Sequence, residues 1–319
     1  MISKTMAITL ESPSLRIQAT PEFGGRITSL VDRDLGDEWL YPPQHSSGIE
    51  RPFSYASGPR GGMDECLPSI TACQHPDPAW AAREVPDHGD FWWRAWEVRE
   101  STPLRLVLHA GDQGDPLSLT RAIVLDPKEP LMRLHYELKN TSSHDYAYLY
   151  SAHPLFAFEG NAEIEMPGTP DVVASFGPRL VPGRQSKWPY AGNPSGHMRR
   201  LDHVAKVGPT ENYKVFVRST GWCTLATAPR GRKLRLEFDH ETFPWLGICV
   251  NRGAWPHPDR GESWIAIEPT TSPTDDLPSA VRAGQARNLA PGQVARWLFS
   301  MRLEDGPTFE RSHEENPYA

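Results

Sequence analysis

The sequence predicts an all-β protein, a large antiparallel β-sandwich, on three observations. Apolar and polar residues alternate with the period of two of a half-buried strand, in roughly a dozen or more runs. Convincing amphipathic helices are almost absent. Proline occurs 32 times, about twice the average usage, and it fits neither helix interiors nor central strands, so the chain must turn often.

The runs can be justified in order. "SLRIQA" (14–19) alternates Leu15, Ile17 and Ala19, and "LRLVLHA" (104–110) places Leu104, Leu106 and Leu108 on one face. "LSLTRAIVL" (117–125) and "LMRLHYELKN" (131–140) flank "DPKEP", a turn-rich link that predicts a hairpin. "WCTLATA" (222–228) and "KLRLEF" (233–238) flank "PRGR" and predict a second hairpin. "WIAIEP" (264–269) and "VARWLFSMRL" (294–303) complete the series. Two stretches break the rhythm, residues 41–92 and 168–212, rich in Pro, Gly, His and aromatics. Loops of that length in a compact domain are usually functional. No linker, charge block or repeat divides residues 1–319, which predicts a single domain.

Composition excludes several classes. A chain of 319 residues with 38% hydrophobic and 23% charged residues is globular and can bury a large core. A net charge of -7 without clustered Lys and Arg argues against a nucleic-acid partner. No run of about 18 apolar residues predicts a membrane span, and "MISKTMAITLESPS" lacks the apolar core of a signal peptide. Four cysteines in this length point to reduced thiols and a cytoplasmic location. Cys66 and Cys73 have six residues between them and no second pair at zinc spacing, so no zinc site is expected. Trp occurs 11 times, enough for a thick core or for flat platforms under a ligand with apolar faces.

Three titratable groups stand at strand ends or loop edges: His88 in "DHGDFWWRAWEV", His153 in "SAHPLF" and Glu268 in "AIEPTTSPTDDLPS". In "WIAIEP", Trp264, Ala266 and Glu268 share one face and Ile265 and Ile267 the other. Both faces are apolar, which predicts a central strand with a desolvated carboxylate, a usable base near neutrality. A strand-end glutamate accepting backbone N–H groups is the plainer reading. Pro154 donates no hydrogen bond and is expected to end ladder pairing at His153, directing its imidazole off the sheet. A core histidine at a bend is the alternative there. His109 and His135 fall inside strands, and His45, His75, His144, His197, His203, His240, His257 and His313 fall in or near turns.

In this order the segments resemble the aldose 1-epimerase (galactose mutarotase) superfamily, a β-supersandwich of sugar-ring-opening enzymes. "PEFGGRITSLVDRDLGDEWL" resembles its opening, "PRGGMDECLPS" the Arg-Gly-Gly segment of the hexose-6-phosphate branch, and "HGDFWWRAWEV" its His-Gly segment leading to an Arg. "SAHPLFAF" resembles the segment of the second histidine, "IAIEPTTSPTDDLP" that of the catalytic glutamate, and "LAPGQVARWLFSMRL" the closing strand. The resemblance implies that Glu268 takes the anomeric hydroxyl proton. It implies that His153 protonates the ring oxygen and that His88 hydrogen-bonds near the same oxygen. Glu268 and His153 would then be a matched base and acid that need no metal and no cofactor. Trp93 and Trp245 would stack on the sugar, while Arg60, Asp64, Arg94 and Asn212 would contact it. Asp64-Glu65 stands where that branch has an apolar pair, and is expected to disfavour a phosphorylated sugar. Asn212 in "ENYKVFV" stands nearest the place of the galactose branch's substrate-binding aspartate.

The expected function is therefore interconversion of the α and β anomers of an aldose, with a small-molecule sugar as partner and a monomer or homodimer as assembly. A lyase or isomerase on the same fold, or a non-catalytic carbohydrate-binding sandwich, is the alternative. Separation of His88, His153 and Glu268 by more than about 10 Å would favour the last, since proton-transfer groups must reach one substrate.

Overall fold

The computed structural model describes residues 7–44, 54–111, 114–192 and 195–306. His45 and His313 lie outside the described residues.

Two large antiparallel sheets carry the fold. The ten-stranded sheet runs in the spatial order Ile8–Glu11, Leu15–Thr20, Arg26–Asp32, Met63–Cys66, Ser151–Phe156, Ser263–Thr270, Trp245–Arg252, Glu211–Arg218, Asp171–Phe176, Gln185–Lys187. The nine-stranded sheet includes the Arg105–Ala110, Leu117–Leu125, Leu131–Asn140, Arg232–Phe238 and Val294–Asp305 strands. Both expected hairpins form. Met132 pairs with Leu125 across a turn in which Asp126 Oδ1 accepts from the Lys128 and Glu129 amides. Leu225 pairs with Leu234 in the second. Among the described residues the only α-helix is Leu277–Arg282, capped by Asp276, whose side chain accepts from the Ser279 amide.

Alternation decides which side chains fill the space between the sheets. Leu15, Ile17 and Ala19 turn inward from one sheet, and Leu106, Leu108 and Ala110 from the other, into one continuous apolar core. Ile265 and Ile267 join that core, while Trp264 and Ala266 pack on the opposite face with Leu155 and Cys249. The Ser263–Thr270 strand is thus central, as its doubly apolar sequence requires.

One expectation fails. Pro154 does not end its strand, which continues through Phe156. His153 pairs with Asp64 and Pro154 with Met63 on one side. On the other side the pairs Ser151↔Thr270 and Leu155↔Ala266 flank the proline. Its missing N–H therefore opens the ladder locally beside Glu268 rather than closing the strand.

Glu211, at the start of its strand, is held by Arg199 at 2.6 and 2.9 Å and by Arg252. Burial pushes its carboxyl pKa up, but the two guanidiniums outweigh burial and hold it below the ordinary glutamate value of 4.5. A lowered carboxylate pKa stabilises the fold above the unfolded-state pKa, and that contribution is lost as pH falls through the folded value. Glu211→Gln is expected to lower the unfolding midpoint at neutral pH, with the gap to the parent closing as pH falls below the ordinary value of 4.5 and through the lowered folded one. Urea unfolding of both proteins across pH checks this, and a gap that widens on acidification contradicts it.

Candidate functional site

The site is a row of side chains on the face of the ten-stranded sheet turned away from the other sheet. Strand pairing aligns it. His153 sits opposite Asp64, and two residues in from Ser151↔Thr270 it also sits opposite Glu268. Glu268 in turn faces Gly247 on the next strand. Four adjacent strands therefore place Asp64, His153, Glu268 and Gly247 in line.

Each reactive group is held from behind. His153 Nδ1 lies 2.9 Å from Asp64 Oδ1. Asp64 Oδ2 meets Arg26 Nη1 at 2.6 Å and accepts from Tyr55 Oη at 3.2 Å. Burial pushes the Asp64 carboxyl up, yet Arg26 and His153 hold it below its ordinary value. An ionised Asp64 takes the Nδ1 proton of His153 as its hydrogen bond, so Nε2 is the nitrogen presented to the site. Nε2 stands 4.0 Å from Glu268 Oε1, too far for a direct hydrogen bond. The other carboxylate oxygen of Glu268 accepts from Lys214 Nζ at 2.7 Å, and Lys214 also meets Asp275 Oδ1 at 2.8 Å. Burial alone would lower the Lys214 pKa, but Asp275 and Glu268 raise it, so the ammonium stays charged. Gly247 makes room for this pair. A Cβ there would lie 3.0 Å from Glu268 Oε2 and 3.3 Å from Lys214 Cε.

His88 enters from the loop side. Its ring centroid is 5.0 Å from that of His153, and its ring stacks on Tyr55 at 3.9 Å. Its Nδ1 lies 2.9 Å from Asp87 Oδ1. Burial lowers the His88 pKa more than Asp87 restores it, which favours the neutral ring. The backbone there is strained, with φ of +60° at a non-glycine residue. Gly89 follows so closely on Leu67 that a Cβ would lie 1.9 Å from its carbonyl oxygen. This turn forces His88 over the site. Tyr55, Trp92 and Trp255 form the aromatic wall beside it, with Tyr55 and Trp255 6.0 Å apart and nearly parallel.

The structure thus brings His88, His153, Glu268 and Asp64 together, packs Trp93 and Arg60 against the aromatic wall, and turns Arg94, Asn212 and Trp245 to other partners. Arg60 is buried and its fork is taken by Glu262, with Nη1 donating to the Ala56 carbonyl. Arg94 is held by Asp115 at 2.8 and 3.2 Å. Trp93 packs against the Tyr55–Trp92 pair and donates to the Gly89 carbonyl. Asn212 Oδ1 meets Cys249 Sγ, while Lys214, two residues on, reaches Glu268. Trp245 lines a cleft of about 570 Å³ with Ser175, Gln185 and Asp275, next to Lys214 rather than over His153. Asp64 is a fully buried prop for His153 and not a surface awaiting sugar. Glu65 points the opposite way, into the core, where Arg121 neutralises it. With Asp64 met by Arg26, neither acid is placed to repel a phosphate.

Arg26, Tyr55, Asp87, Lys214 and Trp255 were not singled out by sequence. Only period-two spacing from Asn212, and the acid directly before His88, carried a signal for two of them.

No family model matches the chain, and no curated protein matches it. Solved structures do. A protein of Synechocystis sp. PCC 6803 superposes with a TM-score of 0.71 at 16% identity, covering 96% of this chain and 99% of that one. The fold is that of the galactose mutarotase-like β-sandwich. An Escherichia coli K12 protein provisionally named an aldose 1-epimerase gives 0.68 at 16%, covering 94% of this chain and 99% of that one. A galactose mutarotase related enzyme from Lactobacillus acidophilus gives 0.66 at 14%, covering 94% and 98%. In this mutarotase-like sandwich the site row crosses the middle of the larger sheet. No helix among the described residues is long and apolar enough to cross a membrane.

Proposed function

We propose that the chain is an aldose 1-epimerase that interconverts the anomers of a sugar by acid and base catalysis at His153 and Glu268. One observation carries this reading: His153 Nε2 and Glu268 Oε1 face each other across 4.0 Å, each held from behind by its own charged partner. Fold likeness to proteins named for this chemistry adds support.

A sugar whose C1 oxygens enter that gap meets a base and an acid at once. Glu268 Oε1 takes the proton of the anomeric hydroxyl while protonated His153 Nε2 gives its proton to the ring oxygen as the bond from C1 to that oxygen breaks. The open-chain aldehyde turns about the bond from C1 to C2. Glu268 then returns its proton to the carbonyl oxygen and His153 recovers one from the sugar hydroxyl as the ring closes on the other face. Protons balance over the cycle. His88, kept neutral by burial with its Nδ1–H on Asp87, accepts through Nε2 from a sugar hydroxyl beside the ring oxygen, and half-buried Trp255, with Tyr55 packed behind it, covers an apolar sugar face.

Exchange NMR of purified protein with a panel of free aldoses, uronates and phosphorylated aldoses tests the reading. Accelerated α-to-β exchange without a new product mass supports it. A new product or carbonyl compound would move the assignment to a lyase or ketose-forming isomerase, and no rate above buffer for any sugar would overturn it. Asp64→Asn is expected to lower kcat by about 10²–10⁴-fold with a smaller change in KM, because the amide loses the charge that fixes the Nδ1 proton. An unchanged kcat would remove Asp64 from the mechanism.

A further inference from the structure

Cys66 follows Asp64 by two residues on the same strand, so it faces the site as Asp64 does, while Met63 and Glu65 face the core. One donor atom each from Cys66, His88 and His153 lies within 4.8 Å of those of the other two. Both imidazoles are held through Nδ1 by a carboxylate, Asp64 for His153 and Asp87 for His88. That leaves Nε2 of each ring outward, the arrangement in which an outer carboxylate fixes a metal-binding histidine. One thiol and two imidazoles form a donor set suited to a borderline-soft dication and unsuited to magnesium or calcium. Four-coordinate zinc, at its usual ligand distances, sets neighbouring donors roughly 3.4–3.6 Å apart. The three side chains need to close by about an ångström, within the range of rotamer adjustment. Glu268 Oε1, 4.0 Å from His153 Nε2, or a water can fill the fourth position.

We infer that Cys66, His88 and His153 form a binding site for a zinc-like divalent cation, and that the cation shuts the sugar site by occupying the nitrogen that His153 would use as acid. The geometry stands apart from the proposed sugar chemistry, since it needs only the three donors and their carboxylate props. On binding, the Cys66 thiol proton leaves to solvent and its sulfur electron pair forms the bond to the cation, with no change in oxidation state. The local charges suit a dication: carboxylates of Asp64, Asp87 and Glu268 surround the position, against the cations Arg26 and Lys214.

Titration of the chelator-stripped full chain with Co²⁺ tests this, because a cobalt–thiolate bond absorbs in the near ultraviolet and a four-coordinate ion absorbs strongly in the visible. The expected result is one equivalent of Co²⁺ with both signals, displaced by Zn²⁺, retained in Cys73→Ser and losing the thiolate band in Cys66→Ser. Asp87→Ala, which leaves all three donors in place, is expected to weaken Co²⁺ binding about 10–100-fold. His88→Ala, a second route should Cys66→Ser fail to fold, is expected to weaken it further. A wild-type protein with no thiolate band, or a band that survives in folded Cys66→Ser, overturns the site. Sugar exchange by a protein that shows no Co²⁺ band would defeat the cation site alone. A Co²⁺ band from a protein whose metal-free form exchanges no sugar would support the site and defeat only the mutarotase reading, while exchange undiminished in the Co²⁺-loaded protein would defeat the closure.

Discussion

Glu268→Gln is expected to lower the anomer-exchange rate at saturating sugar by about 10²–10⁴-fold, roughly 3–5 kcal/mol of transition-state stabilisation. The amide fills the same volume and its oxygen can still accept from Lys214, so binding should change little. What it cannot do is take a proton. Lys214 keeps its 2.8 Å partner Asp275, so the substitution does not strand a buried ammonium. The loss should therefore appear in kcat rather than in KM or in the unfolding midpoint. Magnetisation-transfer NMR between the two anomers reads the rate directly. A variant within about threefold of the parent would show that the glutamate is not the base.

How far the sequence disclosed this site depends on the kind of signal each residue left. Alternation in "WIAIEP" was enough to put Glu268 opposite Ile265 and Ile267, because a strand's two faces are set by position alone. It was not enough to show that His153 lies directly across from it. That follows from pairing between segments more than a hundred residues apart, which no local pattern encodes. Pro154 misled for a related reason. A proline ends pairing only where its missing N–H would have bonded, and here the adjacent ladder opens instead of the strand ending. The arginines differ in partners that sequence does not show. Arg60 lies in the segment that resembles a known motif, yet it is consumed by Glu262, far along the chain, while Arg26 from the opening strands reaches Asp64. Asn212 and Lys214 share a face two residues apart, so the strand was correct and the longer side chain was the one that arrived. Cysteine spacing carried even less. It weighs only ligands close in sequence, whereas Cys66 meets His88 from a loop and His153 from a neighbouring strand.

Breaking the buried Glu65–Arg121 pair should give a large stability loss. Both side chains are fully buried, 2.7 Å apart, with Glu65 also accepting from Tyr136 at 2.9 Å and Tyr150 at 2.5 Å. Arg121→Met removes the countercharge and leaves a carboxylate in the core, which should cost about 3–5 kcal/mol. Glu65→Gln in the same chain removes the stranded charge, its oxygen accepting from one tyrosine and its NH2 donating to the hydroxyl oxygen of the other. The double variant is therefore expected to be more stable than Arg121→Met alone by at least about 1 kcal/mol, a coupling that urea unfolding of the four proteins in the cycle measures. Strictly additive losses would mean that packing of Arg121 over Trp96, at 5.1 Å, matters and the charge pair does not. The pair also bears on the site. Asp64 and Glu65 are adjacent on one four-residue strand and point to opposite faces. A slip of one residue would swap them, sending Asp64 into the core and Glu65 towards His153. Only Glu65 fits the Arg121–Tyr136–Tyr150 cradle, so the network penalises the slipped register and keeps Asp64 behind His153. Loosening it should thus lower exchange activity even in the variants that remain folded, because the acid would lose its alignment with Glu268.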